Sequence, residues 1–512
     1  MDLSLNLVPD PQSLVYQKGT FRVEGIPSIT GDEFFRKETE LFLGQLIGDL
    51  ERSGQAASRD GAKKIIAKKA EGLEEEAYRL TITEDFINLE ASGRPGIYHG
   101  FQTVRQLFLG GDIPGITEIP CAEIEDRPRF PWRGFMLDVS RHFYSVEFIK
   151  KIIDTLSLHH INKFHWHLTD DQGWRLPVPS YPLLTEIGSR RLDSRRDGRY
   201  TGEGFYTVAD IREVVSWAAD RQVEIIPEVD LPGHTSAVLA AYPGLGCTGG
   251  PYRVEDRFGI REDVLCAGND NIFDFAAAVF DTLFDLFPSP YVHIGGDEVR
   301  FNRWEACPKC RRRLNETGLK NSRELQSWIT VKLVQMLSER KRIAIGWDEV
   351  LEDTEQYPLP KEVVVMSWRG REGGIRASRL GHPVIMTPNT QGCYLDYKHR
   401  DDPEEPGQLG VSSLYQAYTM EAIPSALTGK EAERILGGQG NLWSELIYAG
   451  KIAEYMTFPR ICALSEAFWS TRDPRNFETF SERLVIHQKR LDRLGVLQYR
   501  GPAGQPSQDS EK

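Results

Sequence analysis

The sequence predicts a (β/α)8 TIM barrel preceded by a small α+β domain. Three observations carry that expectation. With 512 residues and 40% hydrophobic content, the chain is too long for one ordinary domain and apolar enough for more than one core. Beyond Pro131, apolar runs alternate with amphipathic helical patterns, as parallel βαβ units require. Before about residue 125, strand-like and helix-like stretches follow one another without a repeating order.

In the N-terminal part, 21–24, 64–68 and 78–90 read as strands, and 33–51 and 96–109 as helices. The first helical stretch sets Phe34, Phe35, Leu41, Leu43, Leu46 and Ile47 at mostly three- and four-residue spacings, an ordinary packed face. Proline and charge then crowd residues 111–131 (GDIPGITEIPCAEIEDRPRFP), which is where the domain boundary is placed. The expected division is 1–125 for the accessory domain, 126–500 for the barrel and 501–512 for a disordered tail. Eight strand candidates follow: 134–139, 163–168, 223–229, 291–294, 343–347, 363–368, 384–387 and 435–442. Helical patterns at 146–156, 208–219, 273–287 and 322–340 lie between them. A doubly wound sheet would want a glycine-rich phosphate turn after its first strand, and Asp138-Val-Ser-Arg-His has none.

Composition excludes several function classes. The net charge of -13 is spread along the chain, with only short runs such as 74–76 (acidic) and 311–313 (basic), which argues against a nucleic-acid surface. No apolar run approaches the roughly 18 residues needed to cross a bilayer, so no membrane insertion is expected. The start MDLSLNLVPD has neither a basic nor an apolar leader region; the expectation is a cytoplasmic protein, or a secreted one if a signal has been removed. Seven cysteines, an odd and low count, suit a reducing compartment. Only Cys307 and Cys310 are closely spaced. That CxxC could hold zinc with ligands from elsewhere, but no second pair follows, so it reads as two thiols on a surface helix-loop, and no metal or cofactor is expected. His159, His160, His165 and His167 also resemble a metal cluster by count. Alternation puts His165 and His167 on one face of a strand, where structural or sugar-contact roles are favoured over metal.

In a barrel, polar residues closing each apolar run face a common mouth. Here they are Asp138 and Arg141, Asp170 and Asp171, Glu228, Asp230 and His234, then Asp297 and Glu298. Trp347 and Asp348, Trp368, Tyr394 and Asp396, and Trp443 with Glu445 complete the series. A lone Asp at a strand end often only caps the next helix, and a lone Trp often only packs. Carboxylates coinciding with tryptophans suit a pyranose, whose C–H faces pack on aromatic rings while its hydroxyls bind carboxylates and Arg.

Most glycosidases place two carboxyl groups across the scissile bond, about 5 Å apart for retention and more for inversion. Adjacent strand residues do not straddle a bond in that way, so Asp297 and Glu298 suit two tasks on one side of a sugar. This fits substrate-assisted chemistry, in which a 2-acetamido oxygen attacks the anomeric carbon. Glu298 would protonate the leaving oxygen. Asp297 would orient the acetamido group and stabilise the oxazolinium ion.

Eight motifs occur in order: GFMLDVSRHF, NKFHWHLTDDQGWR, EIIPEVDLPGH, YVHIGGDE, IGWDE, MSWRG, YLD and GNLWSE. Together they resemble family 20 glycoside hydrolases, the β-N-acetylhexosaminidases, across most of the barrel. The N-terminal region more loosely resembles the accessory domain that commonly precedes it. The resemblance implies Glu298 as general acid and later base, Asp297 as the acetamide-orienting partner, and Tyr394 as donor to the acetamido oxygen. Arg141 and Glu445 resemble the pair that grips the outer hydroxyls, with Asp396 another hydroxyl ligand. Trp347, Trp368 and Trp443 would form the aromatic box, and Asp170 and His234 the relay behind the acid. The implied substrate is a glycan or glycoconjugate with terminal β-linked GlcNAc or GalNAc, attacked exo and with retention. Disaccharide release, as by lacto-N-biosidases, and sugar binding without catalysis are the alternatives. One departure concerns the tryptophan platform that many members carry four residues before a tyrosine like Tyr418: here Leu414 or Tyr415 must take its place, which points away from long chitin chains.

Overall fold

Eight parallel strands close into a barrel in the computed structural model, which describes residues 4–52, 59–110, 116–191, 204–352, 354–471 and 475–501. The strands are Trp132–Asp138, Lys163–His167, Glu224–Glu228, Tyr291–His293, Ile343–Trp347, Val364–Ser367, Val384–Met386 and Ile435–Leu442. Each pairs with its successor, and the eighth returns to the first through the ladder Gly437↔Trp132 to Leu442↔Leu137. Helices cover the outer face, so both faces of every strand are apolar or internally paired; Trp132–Asp138 is buried at every position. Inside, Trp132, Ile226, Ile345, Trp347, Val364, Met366 and Ile385 form a compact apolar plug. The covering helices begin where short polar side chains can accept from free amides: Ser145 accepts from Phe148 N, and Thr207 forms a reciprocal box with Asp210.

The N-terminal domain is a six-stranded mixed sheet in the spatial order Ser13–Glu24, Ile116–Asp126, Tyr78–Ile82, Phe86–Ala91, Arg59–Lys69, Ile26–Gly31. Helices Arg36–Arg52 and Arg94–Leu109 pack on it. The single strand expected over 78–90 is instead a hairpin, turned at Thr83 to Asp85, because Tyr78 to Ile82 pairs antiparallel with Ala91 to Ile87. The proline-rich stretch expected as a boundary contributes Ile116–Asp126, an interior strand of this sheet. Pro120 donates no amide hydrogen, and the opposing strand slips its register between Tyr16 and Thr20, where Thr20 faces Pro120. The first helical stretch buries only part of the expected face: Phe35 and Leu46 are inside, joined by Phe42, Glu38 and Asp49, while Leu41, Leu43 and Ile47 are half-buried and Phe34 is 42% exposed. The expected tail, beyond Gly501, lies outside the described residues.

Two further expectations meet the structure here. Among the described residues no helix is long and apolar enough to cross a membrane. Cys307 and Cys310, expected on the surface, are buried at the start of helix Pro308–Thr317.

The two domains are joined through charges that neither could bury alone. Arg105 of the accessory domain is 1% exposed and donates to Asp49 within its domain (2.8 and 3.1 Å) and to Asp154 of the first barrel helix, Val146–Leu158 (3.0 Å). Asp154 also accepts from Arg221 (2.7 Å) and Gln45 (3.0 Å). Burial alone would raise Asp154; Arg105 and Arg221 outweigh it and hold the carboxyl well below its usual range. Trp469, from the last barrel helices, enters the accessory core and donates to both Asp126 oxygens at 3.0 Å. Removing one partner from such a network leaves a buried charge uncompensated. Arg105→Met should therefore destabilise the protein by about 3–5 kcal/mol in chemical denaturation; a loss near zero would show that Asp49 and Asp154 find solvent instead.

Candidate active site

The strand register assembles a polar layer just above the apolar plug. Asp138 lies opposite His167, His167 opposite Glu228, and Glu228 opposite His293. Side chains two apart on one strand share a face, so His165 points inward with His167. All four groups around Glu228 converge on its carboxylate: His167 Nδ1 on Oε2 in a very short contact, His165 Nε2 at 2.9 Å, His293 Nδ1 at 2.8 Å, and Trp347 Nε1 donating to Oε1 at 2.9 Å. Burial would raise Glu228, but the imidazoles, His167 first, hold it well below its usual value. Burial likewise disfavours charge on His167, and Glu228 and Asp170 overcome it, so His167 is raised well above the usual histidine value. His165 differs: its Nδ1 faces the Gln439 amide at 3.1 Å, and burial brings it down to about 4.

From this layer a chain of contacts runs to the mouth. His167 Nε2 meets Asp170 Oδ2 at 3.0 Å, and the same oxygen forms an ion pair with Arg141 Nη2 at 2.8 Å. Arg141 is clamped further by Asp138 (3.1 Å) and Gln172 (3.0 Å). The other Asp170 oxygen lies 3.3 Å from His234 Nδ1, with Asp171 at 3.2 Å. Across the ring, His234 Nε2 lies 3.4 Å from Glu298 Oε2 and 3.6 Å from Asp297 Oδ2. Burial opposes protonation of His234, yet Asp170, Asp171 and Glu298 raise it well above the usual value.

A sharp turn presents the two acids. After strand Tyr291–His293 the chain takes positive φ at Gly295 (67°), Gly296 (94°) and Glu298 (50°), and His234 opposite has φ 49°. A Cβ on Gly295 would stand 1.8 Å from Asp230 Oδ1, so only glycine fits. Gly296 N–H donates to that Asp230 oxygen (3.1 Å), and Gln326 donates to Gly296 O (2.8 Å). The held turn buries Asp297 to 8% exposure and leaves Glu298 partly accessible, with one oxygen of each within 4.8 Å of the other and of the His234 nitrogen. Burial lifts Asp297 well above the usual carboxylate range and Asp230 adds to it, with His234 in opposition. Asp230, also buried, is pushed up to about 7.

The cavity in front of these acids is about 310 Å³. Trp347 and Trp443 form one wall, with centroids 5.8 Å apart at 42°. Trp368 and Tyr394 form another, nearly parallel at 6.2 Å, and Trp368 Nε1 donates to Glu349 (3.0 Å). Arg141 lies 5.1 Å from the Trp443 centroid. Among the described cavity-lining residues, three buried carboxylate oxygens lack a hydrogen-bond partner: Asp297 Oδ1, Asp396 Oδ1 and Glu445 Oε2. Such acceptors are expensive to bury unless something with N–H or O–H groups is meant to meet them.

Of the residues picked from the sequence, Glu298, Asp297, Tyr394, Arg141, Trp347, Trp368, Asp396, Trp443, Glu445 and His234 line one cavity, and Asp170 sits behind it. Tyr397, Gln408 and Gly410 also line it. They come from a two-stranded ribbon, Tyr397–Lys398 with Gln408–Val411, too short to show as a sequence pattern. The structural weight of Glu228 was missed as well: its four partners come from three other strands and share no spacing. Leu414 and Tyr415, expected at the place of the leaving-group platform, do not line this cavity. Leu414 is buried in the first turn of helix Leu414–Thr419, and Tyr415 packs edge-on against Phe477.

Comparisons with known proteins agree with this geometry. The family model described as glycosyl hydrolase family 20, catalytic domain, matches residues 130–472, and the model described as glycosyl hydrolase family 20, domain 2, matches residues 4–127. A beta-hexosaminidase of Porphyromonas gingivalis is 38% identical over 97% of this chain, which spans 64% of that relative's length. The crystal structure of a GH20 exo beta-N-acetylglucosaminidase from Vibrio harveyi with N-acetylglucosamine superposes with a TM-score of 0.87 at 32% identity, covering 97% of this chain and 78% of that one. A beta-N-acetylhexosaminidase from Bacteroides fragilis gives 0.83 at 31% identity, with 97% of both chains covered. The acid-bearing turn, the barrel that holds it and the sheet domain in front of it are thus those of one family: this chain belongs to glycosyl hydrolase family 20.

Proposed function

We propose that the protein is an exo-acting, retaining β-N-acetylhexosaminidase that removes terminal β-linked GlcNAc or GalNAc by substrate-assisted catalysis. The observation that carries this reading is the joint placement of Asp297 and Glu298 on one histidine, at one end of an aromatic-walled cavity. Two acids so placed serve one side of the sugar, leaving the attack to the substrate's own acetamido oxygen. The hexosaminidase names of the relatives support the same substrate class. A cavity of about 310 Å³ is at the small end for ligand sites, which favours one sugar unit and so action at a chain terminus.

In the first step Glu298 donates its proton to the glycosidic oxygen as the C1–O bond breaks. The acetamido carbonyl oxygen, held by the Tyr394 hydroxyl, bonds to C1 from the opposite face. Asp297 accepts the acetamido N–H through its unpartnered Oδ1 and faces the oxazolinium charge. Glu298, now a carboxylate, then takes a proton from water, which attacks C1 and reopens the ring with net retention. The raised Asp297 makes this selective. A carboxyl that is reluctant to ionise gains most from a cation forming beside it, so the contact is worth more in the transition state than in the ground state. Asp396 and Glu445, each with an unpartnered oxygen, and the clamped Arg141 bind the remaining hydroxyls.

Glu298→Gln should lower kcat on glycosides with poor leaving groups by about 10²–10⁴-fold, with a smaller loss on p-nitrophenyl GlcNAc and an unchanged fold by circular dichroism; full activity would remove the acid assignment. A thiazoline mimic of the cyclised intermediate should inhibit competitively and bind far tighter than GlcNAc, and failure to do so would argue against acetamido participation. Asp230→Asn keeps the acceptor for Gly296 N–H but deletes the charge that helps raise Asp297. A lower Asp297 pKa means the anion forms at lower pH. The acidic limb of kcat/KM should therefore move down by on the order of one pH unit, and a limb that stays or moves up would contradict the coupling.

A further inference from the structure

Four cysteines meet away from the sugar cavity. Cys247 and Cys266 lie in the long loop after the third barrel strand, and Cys307 and Cys310 begin helix Pro308–Thr317 after the fourth. Cys266 and Cys310 are fully buried, Cys307 nearly so and Cys247 half-buried. The sulfurs are 3.6 Å apart for Cys266–Cys310, and 3.8 Å apart for both Cys266–Cys307 and Cys247–Cys310. All four lie within 4.8 Å of one another. Four sulfurs at about 2.3 Å from a tetrahedral zinc ion are separated by about 3.8 Å along each edge. We propose that Cys247, Cys266, Cys307 and Cys310 form a structural zinc site with four thiolate ligands.

The surroundings favour thiolates and fix their places. Cys307 caps the helix and Cys310 is in its first turn, where unpaired amides and the helix dipole favour negative charge. A Cβ on Gly268 would stand 2.2 Å from the Lys309 carbonyl carbon, so the two segments are in backbone contact at the cluster. Cys266 N–H donates to Leu245 O (2.8 Å) and Trp304 Nε1 to Leu265 O (2.8 Å), which lock the loop against the helical segment. Lys309, Arg311, Arg312 and Arg313 lie on the same helix as Cys310 and give that segment a positive charge, opposite in sign to a zinc tetrathiolate. Binding converts Zn²⁺ and four thiols to the tetrathiolate with release of four protons to water, and no oxidant takes part.

The site would tie together the two loops that supply the acid and its histidine. The first carries Asp230 and His234 before it reaches Cys247; the second carries Asp297 and Glu298 before Cys307. Zinc closes both at their far ends, so its role is in stability and loop position rather than in chemistry.

The test is metal analysis of protein purified from zinc-containing medium without metal-affinity chromatography. About one zinc per chain is expected, released in step with titration of four thiols by an organomercurial and read with a chromogenic chelator. Reconstitution with Co²⁺ should give visible bands of tetrahedral cobalt with thiolate-to-metal charge transfer in the near ultraviolet. Cys310→Ser should lower zinc content about tenfold and lower the melting temperature, while Cys393→Ser, a buried cysteine outside the cluster, should keep the metal. Zinc-free protein with four titratable thiols would overturn the proposal. So would two disulfides, seen as a mass deficit under non-reducing conditions. The wild-type measurements stand even if Cys310→Ser fails to fold.

Discussion

A single buried carboxylate sets the terms for the rest of the barrel. Glu228 has no solvent contact, and moving an unpaired carboxylate into such a place costs several kcal/mol even after relaxation. It is tolerable only because partners arrive from the second, fourth and fifth strands at matching heights: His165 and His167, His293, and Trp347. The register that closes the barrel is thus also the register that satisfies Glu228. A one-residue slip of any of those strands would turn its partner outward and strand the charge. The same carboxylate orients His167, which orients Asp170, which fixes both Arg141 and His234. Site geometry is inherited from fold geometry through four contacts.

Around that fixed base the protein accepts strain where it needs reach. Glu298 and His234 both hold left-handed backbone angles, sparsely populated for residues with side chains and costing about 1–3 kcal/mol each. Gly295 and Gly296 make the turn possible, and Asp230 and Gln326 pin its backbone. The gain is a glutamate partly open to substrate beside an aspartate that is closed off. An ordinary strand end would have pointed the two in opposite directions. The bracing from the accessory domain, through Arg105, Asp154 and Trp469, supplies stability that offsets the strain of such a turn.

The parts of this design that were legible in the sequence are those encoded locally. Parallel barrel strands are buried on both faces and so appear as unbroken apolar runs such as 343–347 (IAIGW), which the structure reproduces as Ile343–Trp347. Polar residues closing those runs share a mouth, so most of the cavity lining follows from their positions in the sequence. What escaped was nonlocal or atypical. Strand Ile116–Asp126 carries Pro120 and the acidic residues Glu118, Glu123, Glu125 and Asp126, so it reads as a linker, and only its pairing with distant strands on both sides makes it a strand. The cysteine cluster joins residues as far apart as 63 positions, with one close pair visible. Tyr415 and Leu414 sit where a platform was expected, but the helix they begin turns them toward Phe477 and the core.

Apart from the partly accessible Glu298, the acids around the cavity fall into two groups, and the division follows from partners more than from burial. Asp138, Asp170 and Glu228 are buried and held below their usual range because guanidinium or imidazolium groups face them. Asp297 and Asp396, which are buried, and the half-buried Glu445 are raised because a carboxylate neighbour, or the lack of a bonded cation, leaves desolvation uncorrected. Glu349, behind Trp368, is lifted to about 9 for the same reason. The first group is electrostatically complete and has nothing left to offer a ligand. The second is incomplete, and it is the group that lines the cavity and carries the unpartnered oxygens. A sugar's hydroxyls and acetamido N–H supply the missing donors, and a cationic intermediate supplies the missing charge. The free energy withheld from the folded protein at these three positions is available to be recovered on binding, and at Asp297 it is recovered most fully when positive charge appears on the substrate.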